Sequence, residues 1–294
     1  MSGDAQTLTA ALKGRWHGRY GTACCPAHGD RTPSLSLSNA PDGRLLLRCH
    51  TGCTFLAILD ALRGLGLVEG TGRVPGLDPA RLAQREAEER REAEKRAWQA
   101  RAAWDEARPI EGTPAAAYLR GRGITCPLPD TLRYHPAAWH PSAQRLPALV
   151  ALVEGAGRFA VHRTYLRPDG GGKAAVEPAK AMLGAVKGGA VRLAQGIGPL
   201  VVCEGVETGL SLASGLLRTP ATIWAALSTS GMQGLGLPPS PGRLTVATDG
   251  DPAGREAGHA LATRAAALGW TVSLLPAPEG RDWCDVLNMK GARA

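Results

Sequence analysis

The stretch "TVATDGDPAGREAG", residues 245–258, ends an apolar run with two aspartates one residue apart, Asp249 and Asp251. Two carboxylates this close repel each other unless a cation lies near both of them. Pro252 follows directly, and proline is favoured at the first position of a helix. The stretch therefore predicts a strand, a short acidic turn and a helix, an order typical of α/β folds that bind ligands at the carboxyl ends of strands.

Short apolar runs alternate with helical stretches in the C-terminal part of the chain. The runs are LVVC, ATIWAAL, RLTVAT and TVSLL. Their alternation with helices predicts a parallel sheet. Acids follow several runs: Glu204 after the first, Asp249 and Asp251 after the third, and Asp282 with Asp285 after the last. Parallel strands bring their carboxyl ends to one crevice, so we expect a site for Mg²⁺ or Mn²⁺. Helix capping explains one acid, Asp251, but not the whole set.

Four soft metal ligands bracket an alternating stretch near the N-terminus. Cys25 and His28 form a C-x-x-H pair, and Cys49 and Cys53 form a C-x-x-x-C pair. This donor set suits tetrahedral zinc, which would supply folding energy to a module too small for a large core. Cys24 remains an alternative to Cys25 at this stage. His50 lies between Cys49 and Cys53 and is a second alternative ligand.

Net charge and cysteine count predict a polyanionic partner and a protein that is not secreted. The net charge of the 294 residues is +8 and the pI is about 9.4, which suits nucleic acid. The seven cysteines are odd in number and follow no signal peptide, so metal binding is expected in place of disulfides. No membrane span is expected, and we predict a cytoplasmic protein.

The middle of the chain is charged in two different ways. Residues 71–108 interleave acids with bases at helical spacing and predict a solvated linker helix. Residues 109–198 combine short strands with glycine turns and many basic residues. Among these we expect Arg163, Lys173 and Lys180 to contact nucleotide or nucleic acid, although any single one of them can also be ordinary surface charge.

The residues from Cys25 to Arg63 resemble the zinc-binding domain of bacterial-type DNA primases. The resemblance covers the metal ligands and the Arg31-Thr32-Pro33-Ser34 segment. Its second knuckle is one residue longer than in replicative primases and is similar to that of phage and plasmid relatives.

Glu204-Gly205 and Asp249-Gly250-Asp251 resemble the Toprim domain, which primases share with topoisomerases and some nucleases. There a glutamate and glycine follow one strand and Asp-x-Asp follows a later one. The resemblance implies that Glu204, Asp249 and Asp251 are catalytic and hold magnesium, with Asp282 as a further ligand. Lys180, in "EPAKAML", resembles a lysine of the basic half of the primase core.

Together these resemblances imply a DNA primase that makes short RNA primers on single-stranded DNA from nucleoside triphosphates. No tyrosine follows Tyr165, and no Walker A loop is present. A topoisomerase and a fused helicase are therefore not expected, and a separate replicative helicase is the expected partner. A non-catalytic single-strand-binding accessory protein and a metal-dependent Toprim nuclease remain alternatives.

The expected fold class is α/β with four parts. A zinc-ribbon-like module occupies residues 1–70, and the charged linker helix covers 71–108. A mixed α/β basic subdomain follows at 109–198, and a Toprim-like parallel sheet with flanking helices at 199–294.

Overall fold

The computed structural model describes residues 4–40, 44–68 and 79–291. Two compact units divide the chain, residues 1–84 and 85–294. The α/β class predicted from the sequence is confirmed, with a Cys/His group near the N-terminus and a mostly parallel C-terminal sheet. Residues 71–78, the first part of the predicted linker, lie outside the described residues.

The first unit is a four-stranded antiparallel sheet with a helix at each end of its sequence. Its elements are α1 (Ala5–Ala11), β1 (Arg15–Trp16), β2 (Tyr20–Ala23), β3 (Leu35–Asn39), β4 (Leu45–Cys49) and α2 (Phe55–Gly64). The strands lie in the order β1-β2-β3-β4. In β3, Leu35 and Leu37 alternate with serines and are fully buried. The sequence did not predict α1, whose N-cap is the carboxylate of Asp4.

A long helix, α3 (Pro79–Asp105), leads into the second unit. The solvated linker helix predicted over 71–108 needs correction at its C-terminal end. Ala100 and Trp104 are buried against the strands of the second unit, and the Arg133 guanidinium lies 4.2 Å from the centre of the Trp104 ring. The last turns of α3 are therefore part of the second unit's core.

An antiparallel sheet forms the first layer of the second unit. Its elements are β5 (Arg108–Pro109), α4 (Pro114–Gly121), β6 (Leu132–Trp139), β7 (Arg145–Val153), β8 (Ala160–Tyr165) and β9 (Lys180–Gly184). The strands lie in the order β5-β6-β7-β8-β9. All six residues of β8 are buried because the sheet is covered on both faces, by α3 on one side and by the C-terminal part on the other.

A second, mostly parallel sheet follows. Its elements are β10 (Val191–Ala194), β11 (Leu200–Cys203), α5 (Val206–Ser211), β12 (Thr222–Ala225), α6 (Thr229–Gly234), β13 (Arg243–Thr248), α7 (Pro252–Ala267), β14 (Thr271–Pro276) and α8 (Trp283–Gly291). The strands lie in the order β10-β12-β11-β13-β14, and β10 alone is antiparallel to its neighbour.

Two details of this sheet bear on the sequence predictions. The four apolar runs are the four mutually parallel strands β11 to β14. β10 falls within residues 109–198, but it pairs with β12 at the edge of the C-terminal sheet. Within the described residues, no helix is long and apolar enough to span a membrane.

Candidate functional site

The four predicted zinc ligands lie together in the first unit. The ligand atoms of Cys25, His28, Cys49 and Cys53 are all within 4.8 Å of one another. Cys25 follows β2, Cys49 ends β4, and Cys53 lies just before α2. One Cys–His knuckle and one Cys–Cys knuckle lie at the end of one sheet. Together they have the composition of a structural zinc site. Three thiols and one imidazole fit zinc, and the metal would tie β2, β4 and α2 together.

Polar neighbours orient the ligands of this group. The Asp30 carboxylate accepts hydrogen bonds from the backbone N–H of Cys25 (2.9 Å) and from the Ser34 hydroxyl. The Thr51 hydroxyl lies 2.9 Å from Cys49 Sγ and lowers the pKa of that thiol to about 5. Burial raises the pKa of Cys25 to about 11. Such outer contacts are typical of metal centres because they hold the ligands in place.

The two alternatives left open by the sequence are placed outside this group. His50 Nε2 lies 2.9 Å from the Ser36 hydroxyl, on the surface of the sheet. Cys24 is half-buried and does not belong to the cluster. The geometry favours Cys25, whose backbone is held by Asp30.

The predicted acids lie at the carboxyl edge of the parallel sheet. Glu204 follows β11 and Asp249 follows the neighbouring strand β13, where Cys203 pairs with Ala247. Asp251 caps α7 by accepting the N–H of Gly254 at 2.7 Å. The helix-capping interpretation of Asp251 is therefore correct, and its charge also acts on Glu204 and Asp249.

Asp249 is electrostatically unfavourable without a cation. Burial raises its pKa to about 6, and Glu204, Asp282 and Asp251 add to the effect. Its Oδ1 is buried and finds no hydrogen-bond donor among the described residues. Burial and then Asp251 also raise the pKa of Glu204. Buried carboxylates with unused oxygens and raised pKa values are the arrangement expected for ligands of a hard cation.

The acids differ from the cysteines in how closely they approach. Among the residues that the structure describes, the Cys/His group is the one whose ligand atoms converge to metal-binding distances. The acids act on one another through their charges. Mg²⁺ keeps several water ligands and is held by one or two carboxylates, so it does not need all of these acids in direct contact.

Gly250 explains how Asp282 reaches the site from a distant part of the sequence. The Gly250 N–H donates to the carbonyl of Arg281 (2.8 Å), and the Gly280 N–H donates to the carbonyl of Gly250 (3.0 Å). A Cβ at position 250 would lie 1.9 Å from the carbonyl oxygen of Pro278. Only glycine allows this close backbone contact, which fixes the loop before α8 against the Asp-Gly-Asp turn.

Asp282 and Asp285 have different roles in this loop. The Asp282 carboxylate accepts the Asp285 N–H at 2.8 Å, and Asp285 accepts the Asp282 N–H at 3.2 Å. This reciprocal pair caps α8. Of the two, Asp282 contributes to the raised pKa of Asp249, whereas Asp285 is exposed.

Sequence reasoning missed a buried glutamate at the centre of the basic region. Glu207 in α5 is 5% exposed and accepts a hydrogen bond from Lys180 Nζ at 2.9 Å. Lys173 Nζ lies 3.8 Å away, and the Tyr118 hydroxyl donates to the other carboxylate oxygen at 3.0 Å. Burial acts to raise the pKa of Glu207, but Lys180 and Lys173 outweigh it and lower the pKa to about 2.

This cluster holds both predicted phosphate-binding lysines near the acids. The charge of Lys180 acts on Glu204 and Asp249, so its ammonium group lies within electrostatic reach of the carboxylates. Lys173 also lines a cavity of about 510 Å³ with Arg122 and the Gly170–Gly172 turn. The partners of Glu207 are distant in sequence, so no local pattern indicated this cluster.

Arg163 needs correction as a predicted nucleic-acid contact. It is 6% exposed, and its guanidinium donates to the backbone carbonyls of Trp139 (2.6 Å) and Met182 (3.5 Å). A guanidinium that is buried and hydrogen-bonded to the main chain cannot reach a phosphate on the surface. In β8, Arg163 lies on the same face as Val161 and Tyr165, which pack in the core that α3 covers.

Comparison with known families defines the class of protein. Residues 199–293 match the Toprim domain. Residues 94–193 match a domain of unknown function, DUF7146. The chain therefore carries a Toprim domain in its C-terminal part, which confirms the domain that the sequence resembles.

Among the solved structures that are similar to the chain are three of bacterial primases. The Aquifex aeolicus primase, zinc-binding and RNA polymerase domains, has a TM-score of 0.44 and 16% identity, covering 98% of this chain and 80% of that one. A DNA primase domain from Pseudomonas aeruginosa gives 0.39 and 18%, covering 63% and 71%. The RNA polymerase domain of Mycobacterium tuberculosis primase gives 0.41 and 18%, covering 69% and 80%. These likenesses are distant. No curated protein gives a significant match.

Proposed function

We propose that this protein is a DNA primase that joins nucleotides into short RNA primers on a single-stranded DNA template. The observation that carries the proposal is Asp249, whose buried oxygen without a donor lies beside three other acids in a Toprim domain. A divalent cation would relieve this repulsion. Metal-dependent nucleotidyl transfer needs such a site because the triphosphate is highly charged.

The acids would divide the work at this site. Glu204, Asp249 and Asp251 would hold Mg²⁺ or Mn²⁺, with Asp282 in support, and the bound ion would neutralise phosphate charge and stabilise the pyrophosphate that leaves.

The lysines would bind the anionic part of the substrate. Lys180 and Lys173 are each 37% exposed at the side chain, so they can reach phosphate while Glu207 holds them from below. Charge-assisted contacts of this kind position a triphosphate and the template backbone.

The first unit would hold template DNA. One face of its sheet has a recess of about 490 Å³ lined by exposed Tyr20, Leu46 and Phe55 together with Arg48 and His50. The Tyr20 ring stacks on His17, with ring centres 5.0 Å apart. Aromatic rings combined with cations form the usual surface for single-stranded nucleic acid.

The test is de novo synthesis. The full-length protein is incubated with single-stranded DNA, labelled ribonucleotides and either Mg²⁺ or Mn²⁺, and the products are separated by length. New oligomers that appear with the wild type and not with Asp249→Asn support a primase. Shortened DNA would identify a nuclease instead, and binding without either product would identify a single-strand-binding accessory protein. A wild type that never joins nucleotides on varied templates refutes the proposal.

A further inference from the structure

An exposed tryptophan and an arginine form a stacked pair at one end of the antiparallel sheet. Trp139 ends β6 and is 56% exposed. Arg145 begins β7 and is its cross-strand partner. The Arg145 guanidinium lies 4.5 Å from the centre of the Trp139 ring. A single exposed apolar side chain is common on protein surfaces, but the Trp139 ring differs in carrying a stacked cation.

Buried side chains hold the backbone of Trp139 firmly. Its carbonyl oxygen accepts hydrogen bonds from Arg163 at 2.6 Å and from the Tyr165 hydroxyl at 2.8 Å. The next residue, His140, packs edge-on against the Tyr165 ring and lies 3.0 Å from the carbonyl of Pro178. Burying a guanidinium is costly unless it is well bonded. Here the hydrogen bond from Arg163 to the Trp139 carbonyl offsets part of that cost and holds the Trp139 backbone in place.

The strand that carries Trp139 is also bent at this point. Between His135 and Ala138, β6 contains one residue more than the facing part of β7. Such bulges change the direction of a side chain, and they are frequent beside functional sites.

The pair shares a face of the sheet with Lys180. Arg145 and Leu149 are four residues apart in β7, so their side chains lie on the same face of the sheet. Leu149 pairs with Thr164 in β8, and Thr164 pairs with Lys180 in β9. From ordinary strand rise and spacing, the Cα atoms of Arg145 and Lys180 are about 17 Å apart. A single strand held by Lys180 could therefore reach Trp139 within a few nucleotides.

We propose that Trp139, with Arg145 stacked on it, is a platform on which a base of the single-stranded template stacks. The inference rests on the proposed function, because it names a contact for the same substrate. An aromatic ring combined with a cation binds bases of any sequence through their π faces and leaves the phosphates to lysines. Arg163 then supports nucleic-acid binding indirectly, by holding Trp139 in position.

A nucleobase fits this surface better than a protein partner does. Protein-docking surfaces are contiguous apolar patches. Here the exposed ring is paired with a charged side chain, and the half-exposed Met182 on β9 is the other large apolar side chain exposed on this sheet.

The experiment measures binding of a fluorescein-labelled dT 16-mer by anisotropy. It compares the wild type with Trp139→Ala, Trp139→Phe and the matched control Trp98→Ala, which removes a tryptophan that is 72% exposed on α3. An abasic 16-mer of equal charge is measured in parallel. We expect Trp139→Ala to bind the dT 16-mer about 5- to 150-fold more weakly, the range found for one stacked base. Trp139→Phe should retain most of the affinity, and Trp98→Ala should bind like the wild type.

The abasic strand separates stacking from phosphate contacts. The wild type and Trp139→Ala should bind it equally, since no base is present to stack. Unchanged dT binding by Trp139→Ala, an equal loss on the abasic strand, or an equal loss in Trp98→Ala overturns the inference. So does a change of oligomeric state in sedimentation without a change in DNA binding, which would make the pair a protein contact. A wild type that binds no single strand even at low salt instead rejects the proposed function itself.

Discussion

Replacing Glu207 with glutamine tests the buried ion-pair cluster without changing its shape. The glutamine amide oxygen can still accept the hydrogen bond from Tyr118, but the negative charge that faces Lys180 and Lys173 is lost. Two neighbouring ammonium groups then repel each other without a carboxylate between them. We therefore expect Glu207→Gln to fold less stably and to hold its lysines less firmly.

The magnitude follows from the pKa of Glu207. A value lowered from 4.5 to about 2 corresponds to about 3 kcal/mol of stability at neutral pH. A lowered carboxylate pKa contributes fully above pH 4.5, and the contribution is lost as the pH falls through about 2. At pH 3 rather less than half of this contribution remains. Because both lysines are partly exposed and can turn to water, we expect a loss of roughly 2–3 kcal/mol at pH 7.

Urea unfolding followed by tryptophan fluorescence at pH 7 and pH 3 measures this effect. The matched control is Glu256→Gln, at an exposed position of α7, which should unfold like the wild type. The difference between the wild type and Glu207→Gln should shrink by about half at pH 3. Equal stability at pH 7, or a difference that does not change with pH, would refute the assignment of Glu207 as the charge that holds the two lysines.

Three further predictions concern the metal sites. Asp249→Asn should lower synthesis by about 100-fold or more. Since the pKa of the Asp249 carboxyl is raised to about 6, its ionised form destabilises the fold above pH 6. The substitution should therefore also raise the melting temperature of cation-free protein at pH 8 and abolish stabilisation by added Mg²⁺. Cys49→Ser should release zinc in elemental analysis and unfold the first unit while the second unit stays folded in limited proteolysis; zinc-free wild-type protein purified without chelator would contradict this. Gly250→Ala should displace the Asp282 loop, because its Cβ would lie 1.9 Å from the Pro278 carbonyl oxygen. It should weaken Mg²⁺ binding at least as much as Asp282→Asn does. A Gly250→Ala variant that binds Mg²⁺ with wild-type affinity would contradict this prediction.

Local patterns in the sequence were sufficient for much of the architecture. The apolar runs before Glu204 and Asp249 are parallel strands because each is short, β-branched and followed by a helix start. The C-x-x-H and C-x-x-x-C spacings place their ligands on two knuckles at the end of one sheet, which is a local property of the chain. The roles of these residues in binding metal, and the boundaries of the four parts, stay predictions.

Contacts between distant parts of the chain could not be derived from pattern. Arg163 was expected to contact nucleotide or nucleic acid because it is one of the basic residues of the segment 109–198. Its burial depends on α3 covering that face of the sheet, and the charge interleaving of α3 hid the buried Ala100 and Trp104. Glu207 looked like an ordinary helical residue because its partners Tyr118 and Lys180 lie 89 and 27 residues away.

The backbone contact between Gly250 and the loop at 278–281 couples the carboxylate site to the packing of the chain that follows β14. Two of its acids belong to the turn after β13, but Asp282 lies beyond α7 and β14 and is tied to them through this contact. Loss of the contact would therefore remove Asp282 from the site and lower its affinity for a cation. Mg²⁺ binding then reports whether β14 and the loop after it are packed beside β13, and the zinc site of the first unit reports separately on its own module.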